Sequence, residues 1–245
     1  MIRPALFAIL AAIALVACSR APGPTAGDEA FGKQVRAYLL AHPEVIEEAA
    51  AKLNDQRRQA ALQESGKVIA VQRAALERDP HDFVANPNGK VTVVEFFDYR
   101  CPYCKASLPD LQTLIRGNKD IRFVFKEFPI LPDSDGKIGV SLRAARAALY
   151  AESAGKYEAV HDALMSEKSL DDAAIARVLA ANGLDPVKAV AYTAEDDHLK
   201  QVHDLALAIN ATGTPAFVVG DSLIEGNQMD ALAAAIQQAR KSAKS

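Results

Sequence analysis

Tryptophan is absent from this chain, and only three cysteines occur in its 245 residues. Three cysteines are too few for the several widely spaced pairs with which a small exported fold is stapled. A basic excess is also missing: the formal net charge is -3, and acidic and basic residues are interspersed along the chain, so no basic face advertises phosphate or nucleic-acid binding. No apolar run reaches the roughly 20 residues that a helix needs to span a bilayer. There are no internal repeats, and low complexity is confined to Ala-rich stretches. What remains, 50% hydrophobic and 24% charged residues, is an ordinary globular composition, long enough for one sizeable core and an accessory region.

The N-terminus reads as a targeting segment. Arg3 precedes an unbroken apolar run from Ala5 to Cys18, and the small, Pro-rich stretch 19–27 follows. Residues 1–17 are expected to be a signal peptide. Leu15-Val16-Ala17-Cys18 resembles the lipobox of bacterial lipoproteins, in which the Cys becomes the lipid-modified N-terminus. Cys18 would then be the anchor, and Ser19 after it would permit sorting to the outer membrane of a Gram-negative host; the alternative is an ordinary leader with a chance Cys. Either way, Cys101 and Cys104 are left as the thiols of the mature protein. A two-residue gap removes almost no unfolded-chain entropy, so the pair serves chemistry rather than stability.

Residues 28–79 are rich in Ala, Glu, Gln, Arg and Leu and read as helix, a short one ending near Ala41 and a longer one from Pro43 towards Asp79, bent at Ser65-Gly66. Leu39, Ile46 and Leu53 recur every seven residues, as do Leu62, Ile69 and Leu76 out of phase with them. Turn residues fill Asp79 to Gly89. Val91 to Phe97 then reads as a central strand buried on both faces, and a helix through Ile115 follows, so the Cys pair falls where strand hands over to helix. Ile121–Lys126 is a second strand. Helices are expected over Ser141–Ala154, Tyr157–Ser166, Asp171–Asn182 and Pro186–Ile209, then a hairpin through Gly220-Asp221 and a closing helix Met229–Lys241.

A Cys-x-x-Cys at a helix start places the first sulfur against unpaired backbone N–H groups and the positive end of the helix dipole, which lower its pKa. Cys101 is the expected nucleophile. Cys104, one turn on, is the expected resolving thiol, which attacks the mixed disulfide. Pro102 and Tyr103 between them tune the redox potential. The alternatives are half of a zinc site completed by His198 and His203, which lie five apart and far from the pair, and a Cu(I) site on two thiolates. A surface lipoprotein of structural role is a third alternative.

The run Glu95-Phe96-Phe97-Asp98-Tyr99-Arg100 before Cys-Pro-Tyr-Cys, with Gly213-Thr214-Pro215-Ala216-Phe217, resembles the DsbA-like thioredoxin family over about residues 88 to 240. The resemblance implies an α/β, thioredoxin-like fold with a helical insertion at about 136–210. The catalytic domain would occupy 81–245, and 18–80 would be a linker and helical arm similar to the oligomerising segment of the ScsC-like branch, which implies a trimer. It implies that Thr214-Pro215 is a cis-proline loop facing the Cys pair and offering backbone to an extended substrate. It implies that Glu95, a carboxylate inside an apolar strand, assists proton transfer to Cys104, with Lys126 on the adjacent strand as its partner. Asp98, Tyr99 and Arg100 carry weaker claims to tuning Cys101; His42, His81 and His161 read as surface or helix-end residues. The expected activity is thiol-disulfide exchange on exported proteins in the periplasm, with no bound cofactor or metal and with a membrane redox partner.

Overall fold

The computed structural model describes residues 26–243; Cys18 and the leader lie outside them. Contacts divide the chain into two units, one up to Arg57 and one from Arg58 onward. The first holds helix α1 (Ala26–Ala41) and the start of α2 (Glu44–Val71). His42 and Pro43 separate them: Pro43 suits a helix start, and the N–H of Val45 donates back to the His42 carbonyl at 3.2 Å. Phe31, Tyr38, Leu40, Ile46 and Leu53 are all exposed in this unit.

The second unit is organised by a five-stranded sheet in the order β1-β3-β2-β4-β5. Strand β2 (Val91–Phe97) lies parallel to β3 (Ile121–Glu127) at its centre. The two-residue β1 (Val84–Ala85) pairs antiparallel with β3, and β4 (Ala216–Val219) pairs antiparallel with β2. β5 (Ser222–Glu225) completes a hairpin whose turn uses Gly220 at φ +60°, a conformation that favours glycine. Side chains alternate between faces. Val93, Phe97, Phe123 and Phe125 enter one core with α4 (Pro102–Gly117), the insertion helices and α10 (Met229–Ser242); Val94, Phe96, Val124 and Phe128 enter the other with the end of α2, α3 (Arg73–Glu77) and α9 (Asp196–Ala208).

The insertion contains α5 (Gly139–Glu152), α6 (Tyr157–Ser166), α7 (Asp172–Ala181), α8 (Pro186–Val190) and α9. One helix was expected over Pro186–Ile209. It is instead broken between α8 and α9, where the Asp196 N–H turns to the Thr193 carbonyl at 3.2 Å, and no Gly or Pro marks the place.

Two expectations for the arm change. α2 runs unbroken through Ser65-Gly66, and the interruption comes at Gln72. Gly66 is there because a Cβ would stand 3.0 Å from the Asp221 carbonyl oxygen of the β4–β5 turn. The later heptad series is also not free for another copy: contacts divide the chain at Arg57/Arg58, inside the arm, and Ile69 and Leu76, both at most 1% exposed, belong to the second core with Leu62 beside them. The later heptad series therefore buries on its own catalytic sheet.

Candidate active site

Strand β2 delivers Cys101 to the N-cap of α4, with Pro102 at the first helical position, where its missing N–H costs nothing. The loop between is held from inside. Asp98, 1% exposed, accepts from the N–H groups of Arg100 (2.7 Å), Ile130 (2.8 Å) and Leu131 (3.0 Å) and from the Ser141 hydroxyl (2.9 Å). Its carbonyl accepts from the Cys101 N–H at 3.0 Å. Arg100 turns away to the Pro132 carbonyl and the Asp133 carboxylate, at 3.0 and 2.6 Å. Asp98 and Arg100 thus shape the loop that carries Cys101.

Cys101 and Cys104 are both free thiols, 3% and 1% exposed, whereas Tyr103 between them is 65% exposed. The Cys101 thiol reaches the Thr214 carbonyl oxygen at 3.1 Å, and the Thr214–Pro215 peptide is cis. The two segments joined by the family resemblance therefore meet. A hydrogen bond from the Cys104 thiol, aided by Thr214 and the backbone N–H groups of Cys104 and Tyr103, lowers the Cys101 pKa from 9.0 to about 6 against the opposing effect of burial. Burial raises Cys104 far above the ordinary thiol range, reinforced by its bond to Cys101 and by the nearby Glu95 charge. One sulfur is prepared as a thiolate and the other is kept as a thiol.

Glu95 is 2% exposed and has no hydrogen-bond partner among the described residues. Burial, with the Cys101 charge adding to it, raises its pKa from 4.5 to about 8. It lines a cavity shared with Cys104, Phe125, Tyr157 and His161. The cavity offers about 30 Å³ to the centres of water molecules, room for about two of them. Cys104 and Glu95 thus open onto the same cavity.

Lys126 is not the partner of Glu95. The parallel register sets Glu95 opposite Phe125 and Lys126 opposite Phe96, so the two side chains leave the sheet on opposite faces. Lys126 instead donates to the Ala75 carbonyl at 2.7 Å and pairs with Asp82 at 2.5 Å. With Arg122, which donates to the Glu77 carbonyl, it satisfies the C-terminal carbonyls of α3 and fastens that helix to the sheet. His198 joins Asp82 at 3.2 Å and His203 lies beside Phe128, so neither stands with the Cys pair.

Three features were missed from the sequence. Lys105, next to Cys104, is anchored at the Leu164 and Glu167 carbonyls and feels both sulfurs electrostatically. His161 is 3% exposed and not a surface residue. With Tyr99, Tyr157 and Glu127 it forms a buried polar group in the first core, in which both phenol oxygens lie within hydrogen-bond distance of one Glu127 oxygen, at 2.9 and 2.7 Å. The signal was present: Tyr157, Val160, His161, Leu164 and Met165 share one helical face, and Glu127 keeps the period-two alternation of Phe123 and Phe125.

A model described as the DSBA-like thioredoxin domain matches residues 92–237, and one described as the copper resistance protein ScsC N-terminal domain matches residues 29–60. BcfH of Salmonella enterica Typhimurium is 32% identical with a TM-score of 0.71, over 87% of this chain and 96% of that one. A thioredoxin-like oxidoreductase from Silicibacter pomeroyi is 39% identical with a TM-score of 0.63, over 69% of this chain and 98% of that one. Proteus mirabilis ScsC in a compact conformation is 25% identical with a TM-score of 0.61, over 89% of this chain and 100% of that one. Among curated proteins, the Na(+)/H(+) antiporter NhaA 3 of Salinispora tropica is 29% identical over 201 residues, and NhaA 1 of Salinispora arenicola 32% over 120. These matches take in 80% and 49% of this chain but only 30% and 18% of the antiporters, so the chain spans less than a third of the curated relatives it matches. With more than half of the chain, residues 92–237, matched by that model and the strand-to-helix Cys pair in place, the chain belongs to the DSBA-like thioredoxin domain family.

Proposed function

We propose that the protein is an exported, periplasmic thiol-disulfide oxidoreductase acting on protein substrates. The observation that carries this reading is the asymmetry of the pair: Cys101 ionises near pH 6 at a helix N-terminus while Cys104 is buried as a thiol beside it. The Cys101 thiolate attacks one sulfur of a substrate disulfide and the other leaves as a thiolate. Cys104 then gives its proton to Glu95 by way of the cavity and attacks Cys101 Sγ, which breaks the mixed disulfide and frees the second substrate thiol. If another substrate thiolate attacks the mixed disulfide first, Cys101 is regenerated and the substrate is isomerised. The backbone of Thr214, already against Cys101, is the edge on which an extended substrate would pair. A two-thiolate Cu(I) site carries less weight, because the burial of Cys104 opposes the second thiolate such a site needs.

The reading extends to the arm and the leader. The exposed apolar side chains of the first unit support self-association, a trimer on the ScsC resemblance. Several active sites on one assembly would raise the effective concentration around a misfolded substrate. Crowding against a membrane oxidase would keep the pair reduced and favour isomerase or reductase chemistry. Cys18 would anchor the assembly to the outer membrane by a lipid. The test is turnover on reduced and on scrambled substrate proteins. Refolding of the scrambled substrate in catalytic amounts is expected, and failure on both substrates would refute the reading.

A further inference from the structure

The cavity beside Cys104 has a second polar wall, and the side chains behind it are buried. His161 lines the cavity with Glu95 and Cys104. Its Nδ1 lies 3.1 Å from the Tyr99 hydroxyl, which is 2.9 Å from Glu127 Oε1. The Tyr157 hydroxyl reaches the same oxygen at 2.7 Å. All four side chains are at most 3% exposed, and no Lys or Arg pairs with Glu127 among the described residues. Phe97 and Phe125 close the His161 ring in edge-on contacts at 4.9 and 5.0 Å. Buried polar groups of this kind are costly unless each is satisfied, and this set forms an unbroken chain ending on one carboxyl.

Resting on the redox reading above, we propose that Glu127, Tyr99 and His161 form a proton relay that exchanges protons with Glu95 through the cavity. When a substrate thiolate attacks Cys101 Sγ of the oxidised pair, the disulfide breaks and its electron pair goes to Cys104 Sγ. Glu95 protonates that thiolate and is left as a carboxylate. The His161 Nε2 proton passes through a cavity water to Glu95, the Tyr99 proton passes to His161 Nδ1, and the Glu127 proton passes to Tyr99. One proton has moved from Glu127 to Glu95, and both phenols now donate to the Glu127 carboxylate. The reverse transfer follows when Cys104 next gives up its proton. The Tyr99 hydroxyl stands between its two partners at nearly equal distances, as both ends of the relay require.

The electrostatics agree with this arrangement. Burial raises Glu127 well above the carboxylate range, opposed by the hydrogen bonds to Tyr157 and Tyr99 and reinforced by the Glu152 and Asp98 charges, which is the direction a proton-donating carboxyl needs. Burial lowers His161 to about 3, so the ring stays neutral and one nitrogen must release its proton as the other takes one up. Glu158, Asp162 and Arg116 are the charged residues that line the cavity besides Glu95.

The test is a double-mutant cycle on reduction of the oxidised protein by dithiothreitol in single turnover across pH 5 to 9. His161→Phe and Glu127→Gln are each expected to slow this step about tenfold at alkaline pH, less than the ~10²-fold typical of a primary general acid. In a Glu95→Gln background the same substitutions are expected to have no further effect, because the relay acts through Glu95. Iodoacetamide alkylation of Cys101 should be unchanged. A purely structural role would slow both backgrounds alike. Additive losses, or no loss in either background, would overturn the proposal. If His161→Phe does not fold, the near-isosteric Glu127→Gln decides alone. Wild-type protein inert to dithiothreitol would refute the redox reading and the relay together, whereas normal wild-type turnover with additive losses refutes only the relay.

Discussion

Replacing Cys104 by Ala and by Ser separates the two things that Cys104 does for Cys101. The hydrogen bond from the Cys104 thiol is the largest influence lowering Cys101 from 9.0 to about 6. A hydrogen bond to a charged group is worth ~1.5–3 kcal/mol, and at ~1.4 kcal/mol per pKa unit its loss in Cys104→Ala should raise Cys101 by about one to two units. Cys104→Ser keeps a donor at the same place and should leave Cys101 near its wild-type value. At pH 7 a pKa of about 6 makes Cys101 roughly 90% thiolate, and a rise of one to two units leaves about 50% to 10%. The sign for stability follows from the depressed pKa. The reduced fold gains stability as pH rises above 6, in full above 9, and loses it as pH falls through 6. At pH 7 that gain is ~1.4 kcal/mol, equivalent to about 30 mV towards a more oxidising pair. The assay is thiolate absorbance near 240 nm, with the rate of iodoacetamide alkylation as a second probe, followed from pH 4 to 10. Equal Cys101 pKa values in the Ala and Ser variants, or a wild-type value near 9, would refute the reasoning.

Glu95→Gln should stabilise the protein at alkaline pH while slowing resolution by Cys104. The raised pKa means a burial cost that is absent below pH 4.5, grows through the interval and is complete above 8; at pH 7 it reaches at most about 3 kcal/mol, readable as a urea-midpoint difference that vanishes at pH 4. Lys126→Met would leave Asp82 buried beside His198 alone. It should cost ~3–5 kcal/mol in guanidinium unfolding, with Cys101 alkylation unchanged because Lys126 leaves the sheet on the other face. Deleting residues 28–57 is expected to convert an oligomer into a monomer of unchanged melting temperature, by light scattering and calorimetry. Extending that deletion to residue 79 also strips Ile69 and Leu76 from the second core and should destabilise the fold by several kcal/mol, at ~2–5 per large aliphatic side chain.

Local signals were the legible ones. Val91 to Phe97 announced its strand by composition, Pro102 and the Cys spacing announced the helix start, and Gly220-Asp221 announced the hairpin, since each depends on neighbours in sequence. What failed depended on faces and partners. Two adjacent strands in the sequence put Lys126 within reach of Glu95, but the parallel register decides the faces and is not written in either strand alone. Leu62, Ile69 and Leu76 showed a stripe, and spacing cannot say whether its partner is another copy or the chain's own sheet. The polarity of His161 and Glu127 points outward while their periodicity points inward, and both sit in register with buried neighbours. The break before α9 carries no Gly or Pro, so composition offered nothing against a continuous helix.

The account stands most directly on the division of labour between the two thiols, and intact-mass analysis of covalent complexes measures it. Cys104→Ser incubated with a disulfide-bonded substrate should accumulate a one-to-one mixed disulfide on Cys101, and Cys101→Ser should form none. Adducts on Cys104, or turnover by Cys104→Ser at the wild-type rate without accumulation of the complex, would contradict it.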